Sequence, residues 1–230
     1  MVILPHRRAH FRDSFSPDDL AGLIEWLDAD TISGNDGDAV ATWTARTGAN
    51  AVQATEANKP LLKKGANGIN GHNVIRPDGS NDYMSISINL RGYTQWTWFM
   101  VFQNSADAGV IADYKYGGGA WAIRRKTASF YDGGTRGGTW AYDTNPHVYS
   151  GSAKNSGTYN HFIDGVDKGN GAFGTASFIE SGDTIILGAN RTPDGDWYAG
   201  KIRAFLIYNV QHSTENRQLV ENYLMNDAGI

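Results

Sequence analysis

The spacing of apolar and polar residues along most of the chain is that of short β-strands. Apolar residues alternate with polar ones over four to ten positions, and clusters of Gly, Asn, Asp and Ser separate these runs. The pattern predicts about a dozen strands at the spacing typical of sandwiches. The predicted strands cover residues 23–27, 39–43, 73–76, 83–88, 95–102, 109–114, 120–125, 127–131, 139–142, 147–152, 159–164, 176–179, 184–188 and 199–208, with a glycine-rich loop at 165–174.

Two of these runs are apolar enough to predict central strands. Residues 95–102 are almost continuously apolar, and the last strand alternates at first and becomes continuous from Ala204 to Tyr208. A continuous apolar run is typical of a strand that is covered on both faces. One sheet should therefore have a second layer on its outer side.

The predicted helices lie at the two ends of the sandwich. Ser16 and Pro17 begin a short helix, as cap and first-turn residue. Near the end, Ser213 is a candidate N-cap and Gly229 ends the last helix. One face of that helix carries apolar residues, namely Leu219, Val220, Tyr223 and Leu224. The prediction is an all-β protein: a two-sheet antiparallel sandwich over residues 16–230, with a short N-terminal helix and one C-terminal amphipathic helix.

The amino-acid composition excludes several kinds of chemistry and of cellular location. Cys 0 excludes disulfides and cysteine nucleophiles. The first residues have no apolar core long enough for a secretory signal, and no apolar run approaches a membrane span. We therefore expect no membrane partner. If the protein works outside a cell, it leaves by another route, such as assembly into a virion released by lysis, and this is the predicted location.

Charge is unevenly distributed. Residues 1–12 contain three arginines and no acid, whereas the net charge of the chain is −4. An acidic body argues against nucleic acid as the main partner. Residues 1–15 form a predicted basic arm that is separate from the sandwich and docks on a protein partner; the alternative is a solvated tail. Its candidate docking residues are Arg7, Arg8, Phe11 and Arg12.

Four segments resemble the laminin-G-like jelly roll of the concanavalin A-like lectin/glucanase superfamily, in its bacterial and phage members. They are Leu-Ile-Glu-Trp-Leu-Asp-Ala at 23–29, the tryptophan-bearing strand and turn at 40–48, Gly-Ile-Asn-Gly-His-Asn-Val-Ile-Arg at 68–76 with the turn at 78–83, and the helix at 215–224. The resemblance covers nearly the whole chain from about Leu20. It implies the fold and no single activity, because the superfamily includes lectins, glycosidases, lyases and structural modules.

Two catalytic or nucleotide motifs fail on context. Retaining glucanases of this superfamily carry Glu-x-Asp-x-(x)-Glu on one strand, and the chain has no such run; Asp164 and Asp167 are better interpreted as turn residues. Residues 169–174 match a dinucleotide fingerprint, but a predicted strand follows where the phosphate site needs a helix. Neither activity is predicted.

The first acidic loop is a candidate calcium site. Asp28, Asp30, Asp36 and Asp38 supply the oxygen ligands that calcium prefers. Their spacing fails the EF-hand pattern, because Ile32 occupies its third ligand position. A solvated acidic loop is the alternative, so no cofactor is required and calcium stays open.

Aromatic residues between 114 and 142 are the candidate glycan site. They alternate with Gly, Arg and Asp on short strands, and sugars stack on aromatic rings while polar neighbours bind their hydroxyls. The alternative is that these rings fill the core. The candidates are Tyr116, Trp121, Arg124, Tyr131 and Trp140.

These features favour a non-enzymatic structural or adhesive module. The first hypothesis is an accessory protein of a phage-like particle, such as a capsid decoration or tail protein, that docks through its arm and touches host polysaccharide. The alternatives are a stand-alone carbohydrate-binding module and a polysaccharide lyase or hydrolase with an unfamiliar site. A homo-oligomer stays open.

Overall fold

Strands dominate the computed structural model, which describes residues 15–90, 92–107, 109–115, 121–124, 126–131, 135–174, 184–190 and 192–230. In chain order they are β1 (Leu23–Asp28), β2 (Thr42–Trp43), β3 (Ala45–Thr47), β4 (Ala51–Val52), β5 (Leu61–Gly65), β6 (Gly71–Arg76), β7 (Met84–Ser87), β8 (Gln95–Asn104), β9 (Val110–Lys115), β10 (Trp121–Arg124), β11 (Thr127–Tyr131), β12 (Thr135–Thr139), β13 (Pro146–Lys154), β14 (Gly157–Ile163), β15 (Val166–Phe173), β16 (Thr184–Leu187) and β17 (Gly200–Tyr208). Short 3-10 helices occupy Pro17–Asp19, Ala29–Thr31 and Glu56–Asn58, and the helix α1 covers Thr214–Ala228.

The strands form two antiparallel sheets. The first sheet has the order β15–β14–β13–β8–β17–β1–β3, with β6 beside β17 and β5 beside β6. The second has the order β12–β11–β10–β9–β16–β7–β4–β2. The predicted all-β sandwich with one C-terminal helix is confirmed.

The two central strands of the first sheet, β8 and β17, are buried on both faces, as the apolar runs predicted. On β8, Trp98 and Phe102 point between the sheets, whereas Phe99 and Val101 join a second apolar cluster under α1. On β17, Phe205 also points between the sheets, and the residues directly before and after it join the cluster under α1. Because successive side chains on a strand point to opposite faces, only a strand covered on both sides stays apolar throughout.

The helix α1 is the layer that covers this sheet. Ser213 Oγ accepts a hydrogen bond from the Asn216 backbone N–H at 3.2 Å, and Gly229 ends the helix in the left-handed region at φ 65. Both predicted caps are confirmed. No helix within the described ranges has the length and apolar character to cross a bilayer.

The buried face of α1 differs from the predicted one. Val220 and Leu224 are buried, but Leu219 is 39% exposed. Arg217 and Glu221 are buried instead and pair with each other, and the Arg217 guanidinium lies 3.6 Å from the centre of the Phe162 ring. The apolar pattern predicted that a leucine would be buried on this face of the helix. An ion pair that stacks on an aromatic ring is buried there instead.

Because the buried face of α1 differs from the predicted one, we expect substitutions of two leucines to change the stability by different amounts. We expect Leu224→Ala to lower the free energy of unfolding by about 2–3 kcal/mol, because it opens a cavity under the helix. Leu219→Ala should change it by about 0.5 kcal/mol or less, because the side chain is largely solvated. Urea denaturation of both variants measures the difference. Equal losses would show that the helix docks on the face that the sequence predicted.

Two predictions of local structure are wrong. A strand was predicted at 139–142, but the observed strand β12 lies earlier in the chain and ends at residue 139. A Cβ on Gly138 would lie 2.6 Å from His161 Cβ, so only glycine allows this close approach. The predicted loop at 165–174 is mostly β15, which pairs with β14 along its length. Backbone groups of glycine pair like any others, so composition hides this strand. The strand predicted at 176–179 lies outside the described residues.

Candidate functional site

Two of the predicted calcium ligands contact a buried arginine. The guanidinium of Arg203 lies 2.9 Å from Asp28 Oδ1 and 3.2 Å from Asp30 Oδ2, and it also contacts Asp227. His72 Nδ1 lies 2.8 Å from Asp30 Oδ2. Burial raises the pKa of Asp30, but the hydrogen bond with His72 and the charge of Arg203 outweigh burial and hold the pKa below its usual range. These five residues, the arginine cluster, tie β1, β6, β17 and α1 together.

The other two candidates accept hydrogen bonds from nearby backbone and side-chain groups. Asp36 accepts hydrogen bonds from the Lys64 N–H and from Asn67 Nδ2, each at 2.8 Å, and Asp38 accepts one from the Asn35 N–H at 2.7 Å. In the part of the chain that the structure describes, no three or more His, Asp or Glu side chains are grouped so as to hold a metal ion. Calcium binding by this loop stays a prediction.

The predicted aromatic site is only partly described. The backbones of Trp121 and Tyr131 lie at one end of β10 and of β11, but their side chains and the whole of Tyr116 lie outside the described part. Trp140 is half-buried against the core, with its ring centre 6.1 Å from that of Tyr149. Trp140 therefore contributes to packing.

The charged member of that site is paired at the surface. Arg124 NH1 lies 3.3 Å from Asp196 Oδ2, and both side chains are exposed. Exposed pairs of this kind contribute about 0–1 kcal/mol, so Arg124 can exchange this partner for a ligand. The predicted docking residues Arg7, Arg8, Phe11 and Arg12 lie outside the described residues, and the basic arm stays a prediction.

A pocket that the sequence did not predict lies where β5, β6 and β17 meet the end of β8. It has a volume of about 280 Å³ and is open to solvent. Three of its lining side chains are cationic, and the others are small or polar. We call it the basic pocket; its lining residues are Lys63, Ala66, Asn67, Arg76, Ser105 and Lys201.

Strand register brings the cations of the basic pocket together. Lys63 of β5 lies opposite Val74 of β6, and Arg76 follows two positions later. Side chains at such diagonal positions share one face of the sheet. Lys201 reaches the same place from β17, and its Nζ donates a hydrogen bond to the Gly68 carbonyl at 2.7 Å, in the turn between β5 and β6. Regular strands thus hold all three charges.

The cations of the basic pocket form no ion pairs with acidic side chains of the described residues. Burial, and then the positive charge of Arg76, lower the pKa of Lys201. Within the described residues, none of the three cations has an acidic side chain within ion-pair distance. Lys63 acts on an acid at longer range: the Lys64 N–H and Asn67 lower the pKa of Asp36, and the charge of Lys63 adds to this effect. The pocket is therefore a concentrated positive site on an acidic protein.

Two histidine sites bear on the predicted lyase or hydrolase. Tyr149 and His161 share a hydrogen bond of 2.8 Å, but both are fully buried, and burial lowers the pKa of His161 to about 4. His147 lies between Asp164, at 2.7 Å, and Asp143, at 2.8 Å. The hydrogen bond with Asp164 raises the pKa of His147, and Asp143 adds to this effect against burial. One histidine is thus inaccessible to a polymer, and the other is stabilised as a cation.

No protein-family model and no curated protein sequence matches the chain. Its fold is similar to that of the botulinum neurotoxin serotype D/C binding domain, with a TM-score of 0.60 and 15% identity over 91% of this chain and 53% of that one. For botulinum neurotoxin type C the TM-score is 0.61, with 13% identity over 88% and 51%. For Trypanosoma rangeli sialidase it is 0.55, with 11% identity over 90% and 33%. The chain spans about half the length of the toxin structures, and at this identity the likeness shows the β-sandwich fold alone.

Proposed function

We propose that the chain is a non-enzymatic, adhesive β-sandwich module that binds glycans through the basic pocket. The observation that carries this proposal is the pocket itself: an open cavity whose three cationic side chains project from paired strands, with Asn67 and Ser105 on the connections beside them. Polar groups held by rigid strands can bind a solvated ligand without first being ordered. The laminin-G-like, concanavalin A-like identity suggested by the sequence is compatible with this role and is part of the proposal.

The fold comparison gives secondary support. The structure of botulinum neurotoxin type C concerns cell entry that depends on interaction with two ganglioside molecules. That property belongs to the toxin structure as a whole, of which this chain covers 51%, so it is consistent with a glycan role and does not locate a site on the shared fold. For this chain, we propose glycan binding on the basis of the basic pocket.

The histidine sites favour binding over turnover. A general base must be within reach of substrate and have a pKa near the operating pH. His161 is buried beside Tyr149, and His147 is held between two carboxylates. Neither is poised to take a proton from a polysaccharide.

The experiment combines binding and product release on the same polysaccharides. We expect saturable binding of the intact protein to at least one polysaccharide of a panel of neutral and acidic polymers, measured by affinity electrophoresis. We expect no new reducing ends and no unsaturated products after long incubation. Product release would make the protein an enzyme, and absence of binding across the whole panel would contradict the proposal.

Attachment to a phage-like particle is a second candidate function, favoured by the three arginines and no acid in residues 1–12. Deletion of residues 1–14 spares Phe15, whose ring packs on Tyr223 at 6.2 Å. If the arm docks on a particle, the deletion should abolish incorporation while the sandwich stays folded and still binds glycan. Unchanged incorporation would remove this function and leave glycan capture alone.

A further inference from the structure

The basic pocket concentrates charge of one sign, and within the described ranges no acidic side chain forms an ion pair with its cations. Lys63, Arg76 and Lys201 come from three strands, and Lys201 is already partly buried. Like charges held close together oppose folding unless something compensates them. A bound anion supplies that compensation, so the pocket is built for a negatively charged group.

The lining also favours a particular kind of anion. The planar guanidinium of Arg76 matches the paired oxygens of a carboxylate or a sulfate, and lysine ammonium groups add charge without demanding a fixed geometry. Asn67 and Ser105 provide neutral polar groups at the same site, and such groups hydrogen-bond sugar hydroxyls. A cavity of about 280 Å³ lies at the lower end of the size range for ligand sites, which suits one charged sugar unit of a longer chain.

Nucleic acid fits these features less well. The pocket is a small concavity with no aromatic ring among its lining residues, and single-stranded nucleic acid binds by stacking bases on aromatic side chains. The net charge of −4 also opposes an extended phosphate backbone. A short acidic group in a sugar polymer needs only the local positive field.

We infer that the basic pocket binds the anionic group, carboxylate or sulfate, of an acidic saccharide unit, with Arg76, Lys63 and Lys201 on the charge and Asn67 and Ser105 on the hydroxyls. This inference rests on the proposed glycan-binding function and specifies its ligand. It predicts binding that weakens as salt is added, because the pocket is open to solvent. It also predicts that the pKa of Lys201 rises when the anion is bound.

The test uses one sugar backbone in three forms: dextran, carboxymethyl dextran and dextran sulfate. We expect the intact protein to bind one or both charged forms and to bind neutral dextran at least about tenfold more weakly, as expected when a charge contact of about 1.4 kcal/mol is lost. The two charged forms distinguish carboxylate from sulfate. Poly-L-glutamate, a carboxylate polymer without sugar hydroxyls, should bind more weakly than the preferred dextran.

Matched double variants locate the site. Lys63→Gln/Lys201→Gln should bind the preferred charged dextran about tenfold more weakly or worse, and Arg76→Gln should weaken it further. Lys154→Gln/Lys168→Gln removes the same two charges from β13 and β15, away from the pocket, and should bind like the unmodified protein. Circular dichroism melting checks that each variant is folded. A variant that is unfolded is replaced by Lys63→Gln alone, which leaves the hydrogen bond of Lys201 to Gly68 intact.

The outcomes separate this inference from the function on which it rests. Equal losses in the two double variants, or equal affinity for neutral and charged dextrans, would overturn the assignment of the pocket while glycan binding stands. Equal affinity for poly-L-glutamate would overturn the saccharide as its ligand. Failure to bind any polymer of the panel would overturn both.

Discussion

Arg203→Met is expected to lower the free energy of unfolding by about 3–5 kcal/mol at neutral pH, because removing one partner of a buried ion pair leaves the other charge uncompensated. Arg203 is 1% exposed and contacts Asp28, Asp30 and Asp227. Methionine fills much of the volume but offers no cation. Chemical denaturation at pH 7 measures the loss. The loss should shrink in acid, where the carboxylates are protonated in both states.

Arg46→Met is the matched control. Arg46 also binds Asp28, with NH2 2.8 Å from Oδ2, but its side chain is 44% exposed. Exposed ion pairs contribute about 0–1 kcal/mol, so this variant should lose about 1 kcal/mol or less. If both variants lost the same free energy of unfolding, the buried arginine cluster would stabilise the fold no more than an exposed ion pair does.

Glu25→Gln is expected to stabilise the protein by about 3 kcal/mol above neutral pH and to have little effect near pH 4. Glu25 is fully buried on β1; its Oε2 accepts a hydrogen bond from the Ala49 N–H at 2.9 Å, and its Oε1 has no partner among the described residues. Burial raises the pKa of Glu25 to about 7 from 4.5, against that hydrogen bond. Glutamine keeps the accepted hydrogen bond and removes the titration.

The direction follows from proton uptake. Between the unfolded pKa near 4.5 and the folded pKa near 7, the folded protein holds the extra proton, so unmodified protein loses stability as pH rises through this window. Denaturation at several pH values should show the Glu25→Gln curve diverging upward from about pH 4.5 and running parallel above pH 7. Glu56→Gln, at a site with a 79% exposed side chain, should leave the profile unchanged. Parallel curves throughout for Glu25→Gln would mean that the pKa of Glu25 is the same in the folded and the unfolded protein.

Much of the fold could be predicted because the residues that determine it are close together in the sequence. The run Ala204–Tyr208 is apolar at every position, and the structure covers β17 on both faces. The caps at Ser213 and Gly229 depend only on neighbouring residues. β15 was missed because its pairing with β14 uses backbone groups and leaves no apolar alternation. Arg217 was missed because a paired, stacked guanidinium takes the place of an apolar side chain.

The candidate site could not be predicted in the same way. Lys63, Arg76 and Lys201 are scattered along the sequence, and only the pairing of β5 with β6 and of β6 with β17 brings them together. The one local signal was weak: Lys63 and Arg76 flank a turn at positions that share a face if the hairpin closes in that register. Asp28 and Asp30 were noticed because acids cluster in sequence, but their partner Arg203 comes from the far end of the chain.

The most direct measurement is an NMR titration of the intact protein with a short oligosaccharide from the charged dextran that it prefers. We expect saturable shifts of the backbone amides of Lys63, Asn67, Ser105 and Lys201, with a rise in the pKa of the Lys201 ammonium. The same titration with the uncharged oligosaccharide should leave these signals in place. Saturable shifts confined to β10, β11 and β12 would return the glycan site to the aromatic strands and contradict the assignment to the basic pocket.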